Sequence, residues 1–151
     1  MSNVVKNLVL DASIAIKWIA PIGSESLMPE AAEFLRRYVE GEIDFVVPDI
    51  FWAEVSNALS KGVRRGRWGR RQAELAEQDM ESRKFISVSS RSLLPEAFRI
   101  ALDFDCSVYD CIYVAVAAQI KTEFITADER LVNALAARFP VRWLGGIVKL
   151  L

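Results

Sequence analysis

Four carboxylates stand where a protein could use them together for chemistry. Asp11 and Asp128 each end an apolar run, Glu54 lies in a helical pattern, and Asp110 is the one charge in a long apolar stretch. The chain contains no histidine, which excludes Ser-His-Asp and Cys-His catalysis and His-ligated zinc or iron sites. Because carboxylate oxygens without histidine suit a hard cation, the sequence predicts that these acids form a site for Mg²⁺ or Mn²⁺.

Each acid also has a simpler interpretation. Asp11 and Asp128 have the residue type and position of helix N-caps, and Glu54 would be ordinary on an exposed helix surface. Asp110 is the hardest to explain in this way, because a charge in an apolar helix is costly unless it is paired or binds a cation. The functional interpretation therefore depends on whether the four acids meet.

Three polar residues are candidates for supporting roles around the acids. Ser13 and Thr126 each lie two positions from one of the strand-end aspartates and could hold the site by hydrogen bonds, although small hydroxyls are common at helix starts. Asn57 shares a helix face with Glu54, three positions earlier, and is the weakest of the three candidates.

The elements that position these acids follow from the hydrophobic pattern. Short apolar runs predict strands over residues 8–10, 43–47, 85–88, 123–126 and 141–144. Helical spacing and capping residues predict helices over residues 12–19, 29–39, 49–63, 72–80, 95–104, 108–117 and 128–139. Strands that alternate with helices indicate the α/β class, with a mainly parallel sheet. Ligands bind at the carboxyl edge of such a sheet, where Asp11 and Asp128 are expected.

Length, composition and charge limit the class of protein. The 151 residues show no repeat or linker and predict one domain over residues 1–151. A net charge of −1 argues against a general nucleic-acid coat protein. With no secretory signal pattern and no apolar run long enough to span a bilayer, we expect a cytoplasmic protein without a membrane segment. Cys106 and Cys111 fit neither a redox pair nor a zinc knuckle, which favours buried thiols in a reducing compartment.

One segment, residues 61–71, is strongly basic and contains no acidic residue; we call it the basic segment. Its charges are Lys61, Arg64, Arg65, Arg67, Arg70 and Arg71. We expect Arg64, Arg65 and Arg67 to contact an RNA backbone, with Trp68 available for stacking on bases. The alternative is a solvated connector between two helices.

Four segments of the chain together resemble the PIN-domain nucleases and, more narrowly, the VapC toxins of bacterial and archaeal toxin–antitoxin pairs. The segments are Val9-Leu10-Asp11-Ala12-Ser13, Trp52-Ala53-Glu54-Val55-Ser56-Asn57-Ala58-Leu59, Tyr109-Asp110-Cys111-Ile112-Tyr113-Val114-Ala115 and Ile125-Thr126-Ala127-Asp128-Glu129-Arg130-Leu131. Each motif is weak alone, but the four in this order are fairly specific and span nearly the whole chain. The resemblance implies a three-layer α/β/α sandwich, Mg²⁺-dependent endoribonuclease activity, a homodimer, and a small antitoxin whose C-terminal arm fills the groove.

By position, the acidic quartet of that family falls on Asp11, Glu54, Asp110 and Asp128. We expect Asp11, Asp110 and Asp128 to hold the metal, with Ser13 or Thr126 in support. Glu54 would act through water or orient the nucleophile. Attack by water would leave a 5′-phosphate and a 3′-hydroxyl, since it needs no 2′-hydroxyl of the substrate. The chain departs from the family at Cys111, where Ala is usual, and a small thiol should fit there.

Other classes of protein share parts of this pattern. A haloacid-dehalogenase phosphatase needs a second acid where Ser13 stands, and a metal-ion-dependent adhesion module needs a serine where Ala15 stands. A PIN fold that binds RNA without cleaving it is a further alternative, which the complete quartet disfavours. Metal-dependent RNA cleavage separates the enzyme from that silent form.

Overall fold

The structure is a computed structural model, and it describes residues 4–147. Its strands in that range are β1 (Lys6–Leu10), β2 (Ile43–Pro48), β3 (Ile86–Val88), β4 (Phe124–Thr126) and β5 (Val141–Trp143). Its α-helices there are α1 (Ala12–Ile19), α2 (Met28–Val39), α3 (Ile50–Arg64), α4 (Arg70–Ser82), α5 (Leu94–Phe104), α6 (Val108–Gln119), α7 (Glu129–Leu135) and α8 (Leu144–Ile147).

The five strands form one sheet in the order β3-β2-β1-β4-β5, and all four strand pairs are parallel. Val9 in the central strand is aligned with Val46 of β2 on one side and Phe124 of β4 on the other. From β1 the chain builds the sheet first in one direction, through β2 and β3, and then in the other, through β4 and β5. A crevice therefore opens at the carboxyl ends of β1 and β4, where the direction reverses.

The helices cover both faces of this sheet. Right-handed crossovers place α1 to α4 on one face and α5 to α7 on the other, which gives the expected three-layer α/β/α sandwich. Residues 111–117 of α6 are all buried, because this helix packs against the sheet as well as against α5. Between residues 4 and 147, no helix combines the length and apolarity needed to cross a membrane.

Several predicted boundaries differ from the observed ones, most by one or two residues. Phe85 precedes β3 and is buried against Phe45, with ring centroids 5.5 Å apart, instead of pairing within the sheet. The last long helix ends at Leu135 and not at residue 139. Phe139 itself precedes a proline and is therefore biased away from helical geometry. Leu144 begins α8 and does not continue β5.

Candidate active site

Asp11 lies at the end of β1, almost fully buried at 6% exposure. Its Oδ2 atom accepts hydrogen bonds from Thr126 Oγ1 at 2.6 Å and from Ser13 Oγ at 2.9 Å. Asp11 occupies the N-cap position of α1, yet its carboxylate makes no capping hydrogen bond. The simpler interpretation of Asp11 as a helix cap therefore does not account for where its side chain points.

Two hydroxyl groups join the ends of β1 and β4. Thr126 Oγ1, which is fully buried, donates to Asp11 and accepts from the backbone N–H of Asp128 at 3.1 Å. Ser13 Oγ donates to the same carboxylate and accepts from the backbone N–H of Ala127 at 3.3 Å. The turn that carries Asp128 is thereby fixed beside Asp11, as the sequence predicted for two strands ending at one edge.

Asp128 is a helix N-cap as well as a member of the quartet. Its Oδ1 atom accepts from the backbone N–H groups of Arg130 at 3.0 Å and Leu131 at 3.4 Å. The Arg130 side chain approaches the same oxygen at 3.9 Å but is almost fully exposed, so this ion pair is worth little. Because capping uses only Oδ1, the second carboxylate oxygen of Asp128 can still coordinate a cation.

Asp110 lies in the first turn of α6 and not deep within the helix. Ser107 is the N-cap, and its side chain accepts from the backbone N–H of Asp110 at 3.1 Å. A negative charge is favourable at this end of a helix, which explains part of why an acid is tolerated in this apolar segment. Its carboxylate is partly exposed and lies near enough to Asp11 and Glu54 to raise the pKa of both.

Glu54 reaches the site from α3, on the other side of the sheet from α6. Its Oε1 atom accepts a hydrogen bond from the phenol of Tyr113 at 2.9 Å. Sequence reasoning did not single out Tyr113, although it lies three positions after Asp110 in α6 and carries the one hydroxyl in the buried run 111–117. That combination of position and chemistry was the available signal.

Within this group of acids, the charge of one raises the pKa of another. Burial raises the pKa of Asp11, and the charge of Asp110 raises it further. Burial raises the pKa of Glu54 to about 7; the Tyr113 hydrogen bond opposes this rise, and Asp11 and Asp110 add to it. The pKa of Asp110 is raised by burial and by Asp128. Like charges thus gather at the crevice, and this is the electrostatic pattern of a functional site.

The chemistry of these donors fits a hard divalent cation, because all of them are carboxylate or hydroxyl oxygens. Their placement is looser than coordination requires: within the described range, no three Asp, Glu, His or Cys side chains are placed so that they could hold a metal ion. Binding by three carboxylates would therefore require side-chain rotation. Asp110 and Asp128 have room to rotate because both are only partly buried.

The predicted accessory residues differ in how the structure places them. Ser13 and Thr126 contact Asp11, whereas Asn57 is exposed one turn beyond Glu54, and no hydrogen bond joins it to the quartet within residues 4–147. In the basic segment, Arg64 and Arg65 are exposed, and Arg67 pairs with Glu25 at 3.1 Å.

The prediction that Trp68 stacks on RNA bases was wrong. Its side chain is 5% exposed, and its indole N–H donates to the carbonyl of Leu59 at 2.9 Å. The ring lies so close to Gly62 that a Cβ there would be 2.0 Å from it. The guanidinium of Arg67 lies 4.9 Å from the ring centroid. Trp68 therefore anchors the turn between α3 and α4.

This fold, with acids gathered at the crevice between β1 and β4, defines the chain as a member of the PIN domain family, whose family model matches residues 8–136. Ribonuclease VapC3 from Pyrobaculum aerophilum is 33% identical to it over 135 residues, which are 88% of this chain and 95% of that protein.

Solved structures show the same fold at lower identity. The crystal structure of PAE2754 from Pyrobaculum aerophilum matches with a TM-score of 0.69 and 21% identity, covering 96% of this chain and 88% of that one. A toxin–antitoxin complex from Klebsiella pneumoniae matches with a TM-score of 0.62 and 18% identity, covering 89% of this chain and 95% of that one.

Proposed function

We propose that this chain is a divalent-metal-dependent endoribonuclease, the toxin of a toxin–antitoxin pair. The observation that carries the proposal is the buried hydrogen-bond network around Asp11 at the sheet edge, where Glu54 and Asp110 repel Asp11 and Asp128 repels Asp110. Membership of the PIN domain family and the 33% identity to a protein named as a ribonuclease support it.

Each residue of the quartet has a distinct task in this proposal. Asp11, Asp110 and Asp128 would hold the cation, with Asp11 oriented by Thr126 and Ser13. Glu54, whose pKa of about 7 lets it gain or lose a proton near neutral pH, would orient the attacking water or accept its proton. A divalent cation, when bound, supplies positive charge for the phosphate oxygens and lowers the pKa of water.

Incubation of the purified chain with single-stranded RNA tests this proposal. We expect cleavage in Mg²⁺ or Mn²⁺, none in EDTA, and products with 5′-phosphate and 3′-hydroxyl ends. Cleavage that persists in EDTA, or fragments that end in 2′,3′-cyclic phosphate, would falsify the mechanism. RNA that is bound but never cleaved would indicate a catalytically silent PIN fold.

The proposal includes an antitoxin partner, as in the complex from Klebsiella pneumoniae. An open groove of about 780 Å³ between α1 and α2 is lined mainly by apolar side chains, among them Trp18, Met28 and Leu35. We assign a helix of the antitoxin to this groove. If a small protein encoded beside this chain binds it, Leu35→Glu should weaken the association, and unchanged binding would contradict the assignment.

We also propose that the chain is a homodimer. Leu94, Phe98 and Leu102 are spaced four residues apart on α5 and are 41%, 55% and 68% exposed, so they form an apolar stripe on the surface. Light scattering should give a dimer for the native chain and a monomer for Phe98→Glu. A native monomer at micromolar concentration would contradict this assembly.

A further inference from the structure

We propose that Tyr113 is a positioning residue, which fixes the Glu54 carboxylate relative to the other three acids by donating a hydrogen bond to it. This inference rests on the proposed function, because it assigns Tyr113 a part in the chemistry of the same site. The bond joins α6 to α3 across the crevice, with 2.9 Å between the phenol oxygen and Oε1 of Glu54.

The Tyr113 side chain is rigid, and that of Glu54 is not. Tyr113 is fully buried, and its ring stacks on Phe124 of β4 with centroids 5.1 Å apart and an interplanar angle of 16°. Glu54 is partly exposed and extends from the surface of α3. Because the donor is held by the core and the acceptor is free to rotate, the hydrogen bond fixes Glu54 and not Tyr113.

The position of Tyr113 links it to the rest of the site. It lies three residues after Asp110, and therefore on the same side of α6. Phe124, which supports its ring, begins the strand that ends at Thr126, the donor to Asp11. One side chain thus sets the position of Glu54 relative to elements that carry the other acids.

A neutral donor suits this task. Asp11 and Asp110 repel the Glu54 carboxylate, and this repulsion would turn a flexible side chain toward solvent. A lysine or arginine in place of the tyrosine would hold Glu54 but would also add a positive charge beside the cation site. The phenol holds the carboxylate and adds no charge.

The chain offers a matched control for this bond. Ser56, two positions after Glu54 on α3, donates to the Glu77 carboxylate at 2.7 and 2.8 Å and thereby joins α3 to α4. This hydrogen bond has the same chemistry and begins on the same helix, but its acceptor belongs to α4 and not to the acidic quartet. Removing it should alter stability alone.

A double-mutant cycle with Tyr113→Phe and Glu54→Gln tests the inference, with Ser56→Ala as the control. The cycle is measured twice, by kcat and KM for single-stranded RNA and by the affinity of the RNA-free protein for Mn²⁺. Thermal unfolding of each variant shows whether it is folded, and Tyr113→Phe keeps the ring that packs on Phe124.

We expect Tyr113→Phe to lower kcat by about 10- to 100-fold, the loss typical when a residue that orients a group at a metal site is removed, with KM little changed. It should also weaken Mn²⁺ binding, because Glu54, although not a ligand of the cation, attracts it less once its carboxylate turns away from Asp11 and Asp110. In the Glu54→Gln background the same substitution should change neither quantity, since its effect passes through the Glu54 carboxylate. Ser56→Ala should leave kcat and Mn²⁺ affinity at their native values.

Equal effects of Tyr113→Phe with and without Glu54→Gln would overturn the inference, because Tyr113 would then act through packing. An unchanged kcat and Mn²⁺ affinity in Tyr113→Phe would overturn it as well. If the native chain binds Mn²⁺ but cleaves no RNA, the proposed function is wrong. The double-mutant cycle measured by Mn²⁺ affinity still tests the role of Tyr113 in that case. A native chain that neither binds Mn²⁺ nor cleaves RNA would contradict both the proposed function and the inference about Tyr113.

Discussion

The acidic quartet and the basic segment differ in how their charges are compensated. Asp11 is buried and accepts two hydroxyl hydrogen bonds, and the charged group that shifts its pKa is another carboxylate, Asp110. In the basic segment, Arg67 pairs with Glu25 and Arg70 with Glu74, while most of the positive charges are exposed to solvent. One region concentrates charge that the protein does not neutralise, and the other carries charge that water and nearby acids already satisfy.

This difference indicates what each region can do. Uncompensated charge in a partly buried crevice lowers stability, and the cation that we propose for this site would compensate it. Exposed arginines lower stability little and can serve either to bind RNA or as a solvated connector. We therefore expect substitutions in the quartet to affect the chemical step and substitutions in the basic segment to affect binding.

The sharpest test of this contrast is Asp11→Asn. The amide oxygen can still accept from Thr126 and Ser13, so the fold should persist, while a ligand of the cation is removed. We expect the rate of RNA cleavage to fall by more than about 100-fold, which exceeds the loss typical when a residue that only orients a metal ligand is removed. The melting temperature should change by less than about 4 °C. Unfolding of this variant would instead favour a purely structural role for Asp11.

Thr126→Val tests whether the buried hydroxyl orients the quartet. Valine has the shape of threonine but cannot donate to Asp11, so we expect kcat to fall by about 10- to 100-fold. Thr122→Val is the matched control, since Thr122 donates to the carbonyl of Asn7 before β4 begins. Equal losses in the two variants would show that the effect is one of folding.

The basic segment should respond differently. We expect Arg64→Gln, Arg65→Gln and Arg67→Gln together to raise KM by about tenfold and leave kcat unchanged. They should also reduce the slope of the logarithm of the RNA-binding constant against the logarithm of salt concentration by about 2 in magnitude. Each phosphate that is no longer neutralised contributes roughly 0.7 to that change.

A control variant with the same net charge carries Gln at three exposed arginines elsewhere, Arg91, Arg99 and Arg138. The same salt slope in both triple variants would identify the basic segment as a connector.

The smallest effect concerns stability and pH in EDTA. The folded chain keeps a proton on Glu54 up to about pH 7, whereas the unfolded chain releases it near the ordinary pKa of 4.5. Folding therefore binds protons in this window, and the free energy of unfolding should fall as pH rises from about 4.5 to 7. Glu54→Gln should flatten this dependence, while Glu81→Gln, at an exposed site on α4, should not. If the free energy of unfolding of Glu54→Gln fell with pH as steeply as that of the native chain, Glu54 would not be the source of the pH dependence.

The sequence predicted the sheet and most helices because the apolar runs and their spacing are regular. It also predicted that Asp11 and Asp128 would meet at one edge, since parallel strands end there. It did not predict that Trp68 is buried, because that depends on the chain folding back onto Gly62. The hydrogen bond from Tyr113 to Glu54 was equally hidden, since the two residues are 59 positions apart on helices that meet only in the folded chain.

The central claim, that the quartet gathers to hold a divalent cation, is tested most directly by a crystal structure with Mn²⁺ and its anomalous difference map. The account predicts a peak in contact with carboxylate oxygens of Asp11, Asp110 and Asp128, with their side chains rotated inward. A well-ordered crystal at millimolar Mn²⁺ with no peak there, or with a peak only at other residues, would contradict it.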